Sequence, residues 1–231
     1  MTSSSSSFNT LFVLLLFSVP AWAAQSPLTV EIPTQAFGRY IPAPIHGYLW
    51  TSQNKTEATR GRSVALVPPP EAASSGWHST AEFLSEAGFD VLLVEPRKGE
   101  RQYQRTLLED LQSGVLFLKA DPRVQAQRVS LIGSEAAANT AAHYAGANSK
   151  MALVLDSLVL ISPDKLIKTI TFFDALEKIK GIPVLLLSSK PAIIAAKKIC
   201  KTSCRSLASK ETGQGIVARK AVLEFLLRPH G

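Results

Sequence analysis

Cysteine is scarce: the 231 residues include two, Cys200 and Cys204. Two thiols cannot make a four-cysteine zinc site, and they exclude a disulfide-dense mini-scaffold. Histidine numbers four, and no H-E-x-x-H or paired-histidine spacing occurs, so no metal site is expected. No G-x-G-x-x-G or P-loop follows a strand-like run, so no nucleotide cofactor is expected, nor any other cofactor. Aromatic residues make up 7% and do not interleave with the basic ones, so nucleic acid is not an expected partner. No apolar run reaches the about 18 residues that mark a membrane span. Acidic side chains are the minority charge: 18 Asp+Glu against 25 Lys+Arg, for a net charge of +7. That balance favours acidic partners over basic ones.

What is present is a globular composition, 46% hydrophobic and 19% charged, at a length that fits one domain. Residues 11–19 are an apolar run, followed by Pro20 and then Ala21-Trp22-Ala23-Ala24. A short h-region ahead of an A-x-A site reads as a secretory signal peptide over 1–23, although the first ten residues carry no Lys or Arg. The remainder, 24–231, is then a single exported domain, periplasmic or secreted from a bacterium, with no transmembrane span after signal removal. Export puts Cys200 and Cys204 in an oxidising space, where a local disulfide is the default and two free thiols the alternative. Their C-x-x-x-C spacing is not the C-x-x-C of a redox site. Asn54-Lys55-Thr56 is a glycosylation sequon, which matters only in a eukaryotic secretory pathway.

Two candidate strands come first, at 28–32 and 45–50. After them, short apolar runs alternate with helical spacing. Strands are expected at 63–67, 89–94, 128–132, 158–161, 182–187 and 205–208. Helices are expected at 77–87, 103–120, 135–145, 171–179, 192–199 and 216–227. Continuous apolar strands between amphipathic helices predict a mostly parallel, doubly wound α/β sheet covered on both faces. Ligands of such sheets bind beyond the carboxyl ends of the strands.

One strand-to-helix turn is informative: Ile132-Gly133-Ser134-Glu135-Ala136-Ala137. With almost no loop, strand and helix crowd each other, so the residues two before and two after the central one must be small. Gly133 and Ala137 satisfy this around Glu135. Centring the turn on Ser134 would put Ile132 at a crowded position.

This turn resembles the G-x-S-x-G nucleophile elbow of the α/β-hydrolase family, with Glu135 at the serine position. Residues 77–94 are similar to the family's first helix and next strand. Gly181-Ile182-Pro183-Val184-Leu185-Leu186 resembles the strand that precedes its catalytic acid. The resemblance spans about 28–228. It implies a minimal eight-stranded α/β-hydrolase-like fold with no lid domain, since about 20 residues separate the strands at 158–161 and 182–187. It also implies a degenerate triad: Glu135 for serine, Gln214 for histidine, and Ser189, in Ser188-Ser189-Lys190-Pro191, where the acid is expected. The loop after 63–67 reads Pro68-Pro69-Pro70-Glu71, and proline has no N–H for an oxyanion.

The expectation is therefore a non-catalytic protein of this fold, acting in binding or at the cell envelope. The alternative is a hydrolase of an ester or related acyl bond, with a non-standard set drawn from Glu135, His78 or Asp164. His78 opens the first helix near the expected cleft. Asp164 follows the strand 158–161, where Ser162 or Asp164 also fits a helix cap. Glu135 also fits a simple helix-start carboxylate. The positive charge concentrates in Lys190, Lys197, Lys198, Lys201, Arg205, Lys210, Arg219 and Lys220. This is either a solvated face or a patch for an anionic envelope component, a lipid head group or an acidic protein.

Overall fold

The computed structural model describes residues 26–34, 43–69, 74–97, 103–147, 155–163, 166–167, 170–200, 204–208 and 216–228. In chain order the elements are β1 (Leu28–Ile32), β2 (Ile45–Trp50), β3 (Arg62–Val67), α1 (Ser75–Glu86), β4 (Asp90–Glu95) and α2 (Tyr103–Ala120). Then come β5 (Arg128–Ser134), α3 (Ala136–Ala147), β6 (Leu155–Ile161), β7 (Leu166–Ile167), β8 (Ile170–Thr171) and α4 (Phe172–Lys178). The last are β9 (Val184–Ser188), α5 (Lys190–Cys200), β10 (Cys204–Ala208) and α6 (Ile216–Leu226).

One eight-stranded sheet runs in the order β1-β2-β4-β3-β5-β6-β9-β10. The pairings of β1 with β2 and β2 with β4 are antiparallel, and the rest are parallel. The edge strand β1 mixes exposed and buried positions. The central strands β3 and β9 are buried at every position, because helices cover both faces. One face packs α2, α3, α4 and α5 through Leu111, Val115, Ala138, Ala142, Leu176 and Ile193. The other packs α1 and α6 through Trp77, Leu84, Val222 and Phe225. No helix among the described residues is long and apolar enough to cross a membrane.

Two departures from the sequence reading have local causes. Strand β6 begins at Leu155, three residues before its apolar run. Asp156 and Ser157 belong to the strand because the sheet supplies their partners. Arg62 binds Asp156, and the Ser157 hydroxyl donates to Ser130 Oγ at 2.9 Å. Strand β9 starts at Val184 rather than Ile182. Pro183 has no N–H for the ladder, and its carbonyl instead accepts from Leu158 N–H at 2.9 Å. A small antiparallel pair, β7 with β8, lies between β6 and α4 where a loop was expected.

Tyr144 on α3 is 4% exposed. Burial pushes its hydroxyl up from 10.0 to about 12. An unfolded chain would release this proton at its ordinary value, while the folded chain still holds it. Stability is therefore unaffected below about pH 10 and declines as pH rises toward about 12, by up to about 2–3 kcal/mol. Urea midpoints compared between about pH 9 and about pH 11.5 are expected to fall less in Tyr144→Phe than in the wild type.

Candidate active site

The carboxyl ends of β3, β5, β6 and β9 form one edge of the sheet. Strand β5 passes into α3 through Glu135 alone, whose φ is 52°. For a residue with a Cβ, that left-handed backbone costs about 1–2 kcal/mol. The Glu135 N–H donates to Ile161 O on β6 at 2.8 Å, and its carbonyl accepts the Asn139 N–H at 3.2 Å to start α3. Its side chain is exposed. Gly133 shows why the turn needs small residues: a Cβ there would stand 2.7 Å from Ala137 O and 2.9 Å from Ala138 N. Those are backbone atoms that cannot move aside.

The N–H groups at the start of α3 have no intrahelical acceptors, beginning with Ala136. With the helix dipole they make a short positive ledge beside Glu135. On the neighbouring strand, Ser162 directly follows β6 with a φ of 46°. Its N–H donates to Leu187 O on β9 at 2.7 Å. The register pairs Ser134 with Ile161, and Ile161 with Leu187. Glu135, Ser162 and Ser188 are the residues that come next along the chain after this row. Ser188 is buried and Ser189 exposed.

The same edge is braced at β4. The Ser74 hydroxyl lies 2.6 Å from Glu95 Oε1. Arg97 donates to the buried Asp110 on α2 through its backbone N–H at 2.8 Å and Nε at 2.7 Å. Burial pushes the Asp110 carboxyl above the usual carboxylate range, and the bonds from Arg97 pull it partly back.

The residues singled out from the sequence scatter. The His78 ring packs edge-on against Tyr48 and Trp50, with centroids 4.7 Å and 5.3 Å away. Both belong to β2, which is three strand positions, or about 14 Å, from β5. His78 and Glu135 are therefore not brought together. Ser189 sits between β9 and α5, at the carboxyl edge. Asp164, Gln214 and Lys201 lie outside the described residues, as does Lys210. Lys190 opens α5, and Lys197 and Lys198 are exposed in its last turn. A crossover helix runs antiparallel to its strands, so those two lie toward the opposite edge from Glu135. Arg205 belongs to the edge strand β10. Cys200 ends α5 and Cys204 opens β10, but their side chains lie outside the described residues. No disulfide appears among the described residues. No group of His, Cys, Asp and Glu suited to a metal ion occurs among the described residues.

Sequence reasoning passed over Ser162 as a reactive group. A serine ending an apolar strand at the carboxyl edge was the available signal, and its left-handed backbone was not.

No family model and no curated protein matches this chain. Solved structures do. The chain is similar to the Pyrococcus furiosus esterase Pf2001, with a TM-score of 0.67 at 17% identity over 89% of this chain and 93% of that one. It is similar to Est1E from Butyrivibrio proteoclasticus, with a TM-score of 0.64 at 14% identity over 88% and 96%. It is also similar to dienelactone hydrolase from Anabaena variabilis, with a TM-score of 0.62 at 18% identity over 88% and 96%. The fold is that of the α/β-hydrolases, as the resemblance implied.

The expected non-catalytic binding protein is corrected by these neighbours, which are named as esterases and hydrolases. The backbone gives a physical reason. The strand-to-helix elbow is built in full, with its strained central residue exposed. The alternative, a hydrolase with a non-standard catalytic set, is the reading that fits better.

Proposed function

We propose that this protein hydrolyses an ester or related acyl bond, with Glu135 as the group that moves the proton. One observation carries the reading: an exposed carboxylate occupies the left-handed turn at the head of α3. Strain of this kind persists where surrounding structure imposes it, and it concentrates at reacting positions. A carboxylate there accepts a proton from the attacking hydroxyl or water. The Ala136 N–H, first in the unpaired turn of α3, is the expected donor to the oxyanion that forms on the acyl carbonyl. Pro68 and Pro69, which follow β3, contribute no N–H. The named activities of the neighbours support the same reaction class.

The test is hydrolysis of short-chain nitrophenyl esters by purified protein, with Glu135→Gln as the control. Activity in the wild type that disappears in the variant supports the reading. No activity in the wild type over a range of acyl lengths ends it.

Export belongs to the same proposal, on the strength of the apolar segment at 11–19 and the following Ala21-Trp22-Ala23. Protein recovered from the periplasm or medium of a bacterial host is expected to begin at Ala24. Its mass is expected to rise on reduction and alkylation of a Cys200–Cys204 disulfide, but not on alkylation alone. An uncut chain confined to the cytoplasm contradicts export, and alkylation without reduction contradicts the disulfide.

A further inference from the structure

We infer that Ser162 is the nucleophile of this site, with Glu135 as its base; the inference rests on the hydrolase reading above. The two residues share an uncommon construction. Three non-glycine residues among those described have a left-handed backbone: Gln125, Glu135 and Ser162. Gln125 belongs to the turn between α2 and β5, at the amino edge of the sheet. The other two directly follow Ser134 and Ile161, a paired couple at the carboxyl ends of the neighbouring strands β5 and β6. Each directly follows the end of a strand or terminates it. Each donates its N–H to the next strand over, Glu135 to Ile161 O at 2.8 Å and Ser162 to Leu187 O at 2.7 Å. The end of β6 thus repeats the elbow of β5 one strand further along.

The cost at Ser162 is specific. It precedes Pro163, and a proline ring drives the residue before it toward extended backbone. A φ of 46° there opposes that preference and carries the ordinary left-handed penalty as well. Neighbouring structure imposes the conformation through the Leu187 bond. Its consequence is a partly exposed serine at the same sheet edge as an exposed carboxylate and the unpaired N–H groups of α3. Ser134, the other serine next to Glu135, is 5% exposed and is the last residue of β5. Ser188 is also buried.

The reaction balances with these groups. Ser162 Oγ bonds to the acyl carbon as its proton passes to Glu135. The bond from the acyl carbon to the alcohol oxygen then breaks, and that oxygen leaves with the proton from Glu135. Water attacks the acyl-serine, again giving a proton to Glu135. The bond to Ser162 Oγ breaks, Oγ takes back the proton, and the carboxylic acid departs.

The test combines a fluorophosphonate probe, mapping of the labelled peptide, and ester hydrolysis by the full chain. Label is expected on Ser162. In Ser162→Ala, both label and kcat/KM are expected to fall by about 10³-fold or more. Ser162→Gly guards against misfolding. Glycine accepts a positive φ without strain, so this variant is expected to melt no lower than Ser162→Ala while remaining unlabelled and inactive. Hydrolysis retained in folded Ser162→Gly, or label on another serine, overturns the inference and leaves the hydrolase reading standing. A wild type that neither labels nor hydrolyses overturns both.

Discussion

Glu135→Gln is expected to lower kcat for a short-chain acyl ester by about 10²–10⁴-fold with little change in KM. Glutamine has the size and shape of glutamate and meets the same penalty at a φ of 52°. The two bonds that hold the turn are main-chain bonds, Glu135 N–H to Ile161 O and Asn139 N–H to Glu135 O, so substitution of the side chain leaves them in place. Only the capacity to accept and return a proton is removed. An interaction made in the transition state alone shows as a loss in kcat and kcat/KM together. A loss confined to KM would make Glu135 a binding group, and an unchanged rate would remove it from the reaction. Glu135→Gly supplies the complementary result. It relieves the left-handed strain, so it is expected to melt no lower than Glu135→Gln while being equally inactive.

The fold was legible because its signals are local and repeated. Continuous apolar runs such as 63–67 and 89–94 need helices on both faces, and the intervening segments have the spacing to supply them. The elbow was legible for a steric reason: Gly133 and Ala137 are small where strand and helix collide, and this alone placed the turn on Glu135. The first part of β6 was not legible. Asp156 and Ser157 are polar and stand ahead of the apolar run 158–161, and their partners, Arg62 and Ser130, are distant in sequence. His78 was read toward the cleft from its place at the start of α1. The helix carries it onto Tyr48 and Trp50 of β2 instead, which sequence spacing cannot reveal. Ser162 is the clearest case. The pair Ser162-Pro163 argues locally for extended chain, and its left-handed backbone comes from β9. The expectation of lost chemistry came from checking side chains at a relative's positions. A serine displaced by one strand escapes that check.

Replacing Arg62 with leucine is expected to destabilise the protein by about 3–5 kcal/mol while leaving kcat unchanged at temperatures well below unfolding. Arg62 is 8% exposed, at the amino end of β3. Its Nε and Nη2 donate to Asp156 Oδ2 at 2.9 Å and 2.6 Å. Nη1 donates to Ala58 O at 3.1 Å, and Nη2 also donates to Leu226 O at the end of α6. The guanidinium carbon lies 5.7 Å from the centre of the Phe89 ring. Removing it leaves the Asp156 carboxylate buried, with only Arg128 Nη1 as a described cationic neighbour, at 3.8 Å and largely exposed. Asp156→Leu strands the opposite charge and is expected to cost a similar amount. The double variant Arg62→Leu, Asp156→Leu leaves neither charge uncompensated, so it is expected to be more stable than either single variant. Arg62→Lys keeps the charge but cannot bridge a carboxylate and two carbonyls with one ammonium, so it is expected to fall between wild type and Arg62→Leu. Location is what separates stability from activity here. Arg62 ties the amino edge of β3 to β6 and to α6, whereas Glu135 and Ser162 stand at the carboxyl edge of the same sheet. A parallel strand of six residues such as β3 spans roughly 20 Å between those edges. Denaturation midpoints should therefore track the charge pair and initial rates should not. A matching drop in kcat for folded Arg62→Leu would mean that the two edges of the sheet are coupled.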